Sequence, residues 1–312
     1  MKILVTGGAG FIGSHLCEYL VNNNHEVTII DNLILGEERF IEGLYSKGLT
    51  FYNEDLNNTP KIKEIFSRHQ FEAVFHLAAN SDIGQSFQNP DIDFDNTSKT
   101  TYSILKHMKE HGVKQIIFAS TSAIYGETSE NITEFLGPLM PVSHYGAAKL
   151  ASEAWICSFA ANYGIKAWIP RFPNVVGENA THGVVLAFVQ KLLRNPERLE
   201  ILGDGMQIKP YIYVKELVLA IAYIWEHSSD QINIFNIGTD SRTQVNEIAK
   251  IVAEEMNITP EFSYTGGDRG WVGDVPEFKY DLTKIKNLGW QAKLTSDEAV
   301  RTAAKKIIEQ LR

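Results

Sequence analysis

Tyr145 and Lys149 stand four residues apart in the stretch His144-Tyr145-Gly146-Ala147-Ala148-Lys149. On a helix that spacing places a phenol and an ammonium on one face, one turn apart. A phenol near a fixed positive charge has its ionised form favoured, and a phenolate is a suitable base for a hydroxyl proton. On its own such a pair is more often a surface feature of an ordinary helix. Its context must decide, and two upstream features supply it. Val113 to Ser120 reads as a buried strand delivering Ser120-Thr121-Ser122-Ala123 to the edge of a sheet. The second feature is the start of the chain.

Lys2 to Thr6 is a short apolar, β-branched run, followed by Gly7, Gly10 and Gly13 in the spacing G-x-x-G-x-x-G. Phe11, Ile12, Leu16, Tyr19, Leu20 and Val21 then recur with helical period, and a second strand, Glu26 to Ile30, ends on Asp31. Strand, glycine turn, helix, strand and acid is the order of a dinucleotide-binding βαβ unit. The glycines let the backbone approach a pyrophosphate, and the helix directs its N–H groups and positive end at it. Asp31 is placed to accept from the adenosine ribose hydroxyls. Asn32 follows it, and no basic residue appears before Arg39. That favours NAD over a cofactor carrying a 2′-phosphate. With a nicotinamide beside it, the Tyr145/Lys149 pair reads as hydride-transfer chemistry on a carbinol, and Lys149 would also hydrogen-bond the nicotinamide ribose.

The elements between these motifs must hold them. A polar loop around Gly36 leads to a strand at Leu49 to Tyr52 and then to Asn53-Glu54-Asp55-Leu56. Asp55 either accepts from the adenine amino group or is the first-turn acid of the next helix. Ala73 to Leu77 is a further strand, and the small residues Ala78 and Ala79 after it leave room for a flat ring or ribose. Asp91 to Glu110 reads as one long amphipathic helix carrying Asn96. Later, Leu199 to Leu202 with Gly203-Asp204-Gly205 reads as a hairpin feeding Tyr211 to Val214. Ile232 to Ile237 rejoins the main sheet, and Thr295-x-x-Glu298 is a capping box. The expected fold is α/β, a Rossmann-type doubly wound parallel sheet with a smaller, discontinuous substrate domain. Residues 1–173 with 207–243 would form the NAD-binding part, and 174–206 with 244–312 the substrate part.

The 312 residues are 44% hydrophobic and 21% charged, with a formal net charge of −9. This composition suits a globular chain with a full core and argues against a nucleic-acid or anionic-membrane partner. The only two cysteines, Cys17 and Cys157, lie in helical patterns far apart, as in reduced cytoplasmic proteins. No C-x-x-C or histidine cluster suggests a metal, and no apolar run is long enough to span a bilayer.

Taken together, Gly7-x-x-Gly10-x-x-Gly13, Asp31-Asn32, His76-x-Ala78-Ala79, Asn96, Ser120-Thr121-Ser122 and Tyr145-x-x-x-Lys149 resemble an extended short-chain dehydrogenase/reductase. The subgroup is the NAD-dependent nucleotide-sugar epimerase/dehydratase family. The resemblance continues through Pro170-Arg171-Phe172-x-Asn174-x-x-Gly177, Tyr211-Ile212-Tyr213-Val214 and Gly273-Asp274-Val275-Pro276. It implies Tyr145 as base, Thr121 as the hydroxyl sharing its hydrogen bond to the sugar oxygen, and Lys149 on the nicotinamide ribose. Tightly bound NAD⁺/NADH would be held by Gly7, Gly10, Phe11, Ile12, Gly13, Asp31, Asn32, Asp55, Leu56, Leu77, Ala78, Ala79, Asn96 and Ser120. Ser122, Asn174, Lys209, Arg269 and Asp274 would meet a nucleotide diphosphate sugar. Lys209-Pro210 stands where many relatives carry arginine, and Trp271-Val272 shifts the usual spacing after Arg269. The resemblance also implies a homodimer built on the two long helices, Asp91–Glu110 and Tyr145–Tyr163.

Residues 122 and 123 discriminate among reactions. The sugar 4,6-dehydratases of this family carry an acid directly after the conserved threonine, because eliminating water needs a placed acid and base. Here the positions hold Ser122 and Ala123. What remains is chemistry at C4. A 4-epimerase takes hydride to form a 4-ketosugar and returns it to the other face. A 4-dehydrogenase or 4-ketoreductase stops halfway. The same residues serve both, and the epimerase is the first expectation.

Overall fold

The structure is a computed structural model describing residues 1–128, 131–267, 275 and 277–312. Among these, eight strands form one parallel sheet: β1 (Lys2–Thr6), β2 (Glu26–Asp31), β3 (Thr50–Asn53), β4 (Ala73–His76), β5 (Gln115–Phe118), β6 (Ser120–Thr121), β7 (Lys166–Phe172) and β8 (Ile232–Asn236). Their spatial order is β8-β7-β5-β4-β1-β2-β3, with β6 continuing β5 alongside β7. The chain reverses direction across the sheet between β1 and β4, and ligands of doubly wound sheets bind outside the strand ends at such a point.

Alternation along each strand sets the two covering layers. Ile3, Val5 and Ile29 pack on one face with Leu16 and Leu20 of α1 (Phe11–Asn22) and with Leu217 and Ile221 of a later helix. Leu4, Ile30, Val74 and Ile116 point to the other face. There they meet α2 (Thr59–His69), α3 (Lys99–His111) and α4 (His144–Tyr163) through Phe66, Ile104, Met108 and Ile156. Both faces are covered, which is why these strands read as continuous apolar runs.

A separate cluster holds α5 (Val184–Arg194), α7 (Val245–Met256) and α8 (Ser296–Leu311), with α6 (Val214–His227) lying between them in sequence. Tyr211, Tyr213 and Val214 pack in this cluster, whereas Phe278, Tyr280, Leu282 and Ile285 pack against the sheet. The expected capping box forms, with Thr295 and Glu298 exchanging side-chain and backbone hydrogen bonds. The expected 199–213 hairpin does not. Arg198–Ile201 pairs in parallel with Glu261–Tyr264, and Tyr211–Tyr213 pairs in parallel with Asn174–Val176. Glycines at 203 and 205 signalled a tight turn, but local turn chemistry does not select a strand's partner. The expected single helix over 91–110 is also divided. Asp91–Asp93 is α-helical, Phe94–Ser98 is a π-helical stretch, and only Lys99–His111 continues regularly.

Candidate active site

A cavity of about 790 Å³ opens along the carboxyl ends of the strands and runs from the sheet to the second cluster. At one end lies the glycine turn between β1 and α1. Gly7 has φ +71°, and a Cβ there would sit 2.7 Å from the backbone nitrogen of Ala78. A Cβ on Gly13 would lie 2.1 Å from the carbonyl oxygen of Gly7. These contacts let the turn after β1, the segment after β4 and the start of α1 converge. No side chain caps α1, and its first turn carries no acid. Its positive end and first N–H groups therefore face the cavity without an anion supplied by the helix itself, which fits a pyrophosphate.

Asp31 closes this end. Its carboxylate accepts from the backbone N–H of Ala9 at 3.0 Å and of Leu33 at 2.9 Å. Burial raises its pKa, and the two backbone hydrogen bonds act in the opposite direction. Asn32, Asp55 and Leu56 line the same end. Asp55 is not the N-terminal acid of α2, whose first turn carries no acid; it lines the cavity and accepts from the N–H of Asn57 at 2.8 Å.

In the middle of the cavity, a chain of hydrogen bonds fixes the segment after β4. Thr101 donates its hydroxyl to the carbonyl of Thr97 at 2.7 Å, so its oxygen accepts from Nε2–H of His76 at 3.0 Å. Nδ1 of His76 then accepts from Thr6 at 2.6 Å, and Thr6 accepts from the N–H of Ala78 at 3.3 Å. His76 is fully buried and its pKa falls to about 3 because burial disfavours the imidazolium, with Lys149 adding to the effect. The neutral ring thus holds Leu77, Ala78 and Ala79 at the cavity wall.

The third part is α4. Ser143 caps it, its hydroxyl oxygen accepting from the N–H of Gly146 at 3.0 Å. Tyr145 and Lys149 both line the cavity, with the Lys149 Nζ 5.9 Å from the Tyr145 ring centroid. Lys149 donates to the carbonyl of Ala119 at 2.8 Å. Burial lowers its pKa to about 7, against the pull of Asp93 and Glu153. Tyr145 is hydrogen-bonded to Thr121, whose oxygen already accepts from the N–H of Ala123 at 3.2 Å. The Thr121 hydroxyl hydrogen is thereby left to the phenol oxygen. The ionised phenol is expected where an ammonium and a nicotinamide cation both lie close, and the protein alone supplies only the first. Burial pushes Tyr145 up to about 12, and the Thr121 hydrogen bond only partly opposes it.

All the proposed cofactor residues named above line the cavity except Ser120. Ser120 is fully buried and donates to Glu153, so it braces α4 from below instead. Glu153 in turn holds Arg171 through Nε at 3.0 Å and Nη2 at 2.6 Å. Asn96 lines the cavity, with its side-chain amide donating to the carbonyl of Ile92 at 3.0 Å. Of the proposed substrate residues, Ser122, Asn174 and Lys209 line the cavity. Arg269 and Asp274, like Trp271, lie outside the described residues.

Three polar residues near the site carried no motif signal. Asn80 lines the cavity, and its amide donates to Asp93 at 2.9 Å. Asp93 is buried immediately before the π-helical stretch and Thr97 within it. Their one sequence signal was three polar residues, Asp93, Thr97 and Thr100, recurring on the inward face of an otherwise apolar stripe. The structure also brings His107, Glu110 and His111 together on α3, with possible ligand atoms within 4.8 Å of one another. There His107 stacks on Phe66. No helix among the described residues is long and apolar enough to cross a membrane.

The parallel sheet, its glycine turn and the Tyr145/Lys149 pair at the same strand ends define an NAD-dependent enzyme of the extended short-chain dehydrogenase/reductase type. The chain belongs to the NAD-dependent epimerase/dehydratase family, whose model matches residues 3–238. It is 32% identical to the UDP-glucose 4-epimerase of Halalkalibacterium halodurans over 96% of this chain and 93% of that protein. It is also 32% identical to UDP-arabinose 4-epimerase 1 of Arabidopsis thaliana, over 96% of this chain and 78% of the relative. Among solved structures, the UDP-glucose 4-epimerase of Thermotoga maritima with UDP-glucose is 34% identical, with a TM-score of 0.89 and all of both chains covered.

Proposed function

We propose that this protein is an NAD-dependent 4-epimerase of a UDP-sugar, working through a 4-keto intermediate. The observation that carries the reading is the placement of Thr121, Tyr145 and Lys149 on one cavity with the uncapped glycine turn. Bound NAD⁺ supplies the hydride chemistry at C4 and a positive charge that favours the phenolate. Tyr145 takes the C4 hydroxyl proton and returns it, and Thr121 shares the hydrogen bond to the same oxygen. Lys149 holds the nicotinamide ribose and opposes the burial that would keep Tyr145 neutral. Asn174 and Lys209 meet the nucleotide diphosphate, as does Arg269 by resemblance, and Asp274 lies by resemblance near the nucleotide ribose.

Residues 1–173 with 207–243 carry the cofactor, and 174–206 with 244–312 carry the sugar nucleotide. The relatives act on UDP-sugars, and this supports the nucleotide assignment. Ser122 and Ala123 leave no carboxylate after Thr121, and this supports epimerisation over dehydration. The protein works in the cytoplasm as a homodimer. The supporting feature is an aromatic patch in which Tyr102 of α3 and Trp155 of α4 are both exposed with rings 4.9 Å apart.

The test is incubation with NAD and, separately, UDP-glucose, UDP-N-acetylglucosamine, UDP-glucuronate and UDP-arabinose. Product NMR should show at least one sugar converted to a mixture with its C4 epimer. Stoichiometric NADH would instead establish a dehydrogenase, and a 4-keto-6-deoxy product a dehydratase.

A further inference from the structure

Asp93 is 1% exposed and sits in the turn immediately before the π-helical stretch, which packs against α4. One carboxylate oxygen, Oδ1, accepts from the side-chain amide of Asn80 at 2.9 Å. The other, Oδ2, is shut off from solvent and has no hydrogen-bond partner among the described residues. Burying a carboxylate with half its acceptor capacity unused is costly unless a positive charge lies nearby. The Asn80 amide fixes the group in place without neutralising it.

Lys149 is the matching cation. It is 2% exposed, and the one acceptor the described residues give its three ammonium hydrogens is the carbonyl of Ala119. The charged and titratable groups around it are few. On its own helix are Tyr145 and Glu153, on β4 His76, on β7 Arg171, and on the 91–98 segment Asp93. His76 is held neutral. Glu153 is held by Arg171 through both of its carboxylate oxygens. Two acids, Asp93 and Glu153, therefore favour the charged form of Lys149 from beyond ion-pair distance, and among the described residues only Asp93 has no cation of its own. Resting on the reading of Tyr145 and Lys149 given above, we propose that Asp93, clamped by Asn80, is the counter-charge of Lys149. It is a positioning residue that keeps the buried ammonium protonated.

The sign of the effect follows from charge. Asp93 favours the Lys149 ammonium and disfavours a Tyr145 phenolate, so it moves both protons to higher pH. Asp93→Asn keeps an acceptor for Asn80 and removes the charge. The Lys149 resonance in ¹³Cε-lysine NMR, assigned by its loss in Lys149→Met, should then titrate about one pH unit or more below its wild-type midpoint. The whole pH–rate profile of the NAD-loaded enzyme should move to lower pH, and Asp93→Glu should restore it. If Asp93→Asn does not fold, Asp93→Ser is read the same way. A variant that folds and leaves the lysine midpoint and both limbs in place, with only stability changed, overturns the proposal. Full activity in Lys149→Met would instead overturn the underlying reading of the site, so the two failures are distinct.

Discussion

In the proposed mechanism Tyr145 is the residue on which the chemistry turns. Removing its hydroxyl would take away the proposed general base, a loss on the order of 10²–10⁴-fold in turnover. Tyr145→Phe should show that loss while NAD binding, followed by quenching of protein fluorescence, stays near wild type. Unchanged turnover would remove Tyr145 from the mechanism. His76 gives a pH signature of a different kind. Its folded pKa is about 3 against 6.5 for the ordinary side chain, so the unfolded chain binds the extra proton first as pH falls. Its contribution to stability is full above pH 6.5 and is lost between 6.5 and about 3. In urea titrations across that window, the slope of stability against pH should be about 1.4 kcal/mol per pH unit shallower in His76→Gln. Equal slopes would mean that His76 does not resist protonation.

Among the elements, the turn from β1 into α1 is the least tolerant. A methyl at position 13 would meet the Gly7 carbonyl at 2.1 Å, and that atom is backbone and cannot swing aside. Gly13→Ala should cost about 1–3 kcal/mol by overpacking and abolish NAD binding by calorimetry. Wild-type affinity in that variant would detach the turn from the cofactor. This unit was legible in the sequence because its information is local: an apolar run, three glycines, a helical stripe and a terminal acid. The Tyr145/Lys149 pair was legible for the same reason. The pairing of Arg198–Ile201 with Glu261–Tyr264 was not, because nothing near either strand names a partner some sixty residues away. Ser120 does not line the cavity, because alternation puts Thr121 on the cavity side and turns Ser120 inward to Glu153. Asp93 and Asn80 were missed because their meaning lies in a contact across 13 residues and in the π-helical stretch that shifts the helix register.

At the scale of the whole molecule, the cavity is lined from both hydrophobic clusters. The proposed homodimer would form on the exposed aromatic pair of α3 and α4. Trp155→Glu should then convert the proposed dimer to a monomer in multi-angle light scattering. A variant that remains dimeric would place the interface elsewhere. The formal charge of −9 also has a consequence, since an anionic sugar nucleotide must reach a protein that repels it overall. The uncapped α1 terminus and Lys209 supply positive potential inside the cavity instead.

The most direct measurement follows the hydrogen on C4. A UDP-sugar substrate identified in the panel would be prepared with deuterium at C4 and incubated with the NAD-loaded protein in ordinary water. The two C4 epimers should both appear, with the label retained at C4 in each. Loss of the label to solvent, or its accumulation in free reduced cofactor beside a ketosugar, would contradict epimerisation by hydride removal and return.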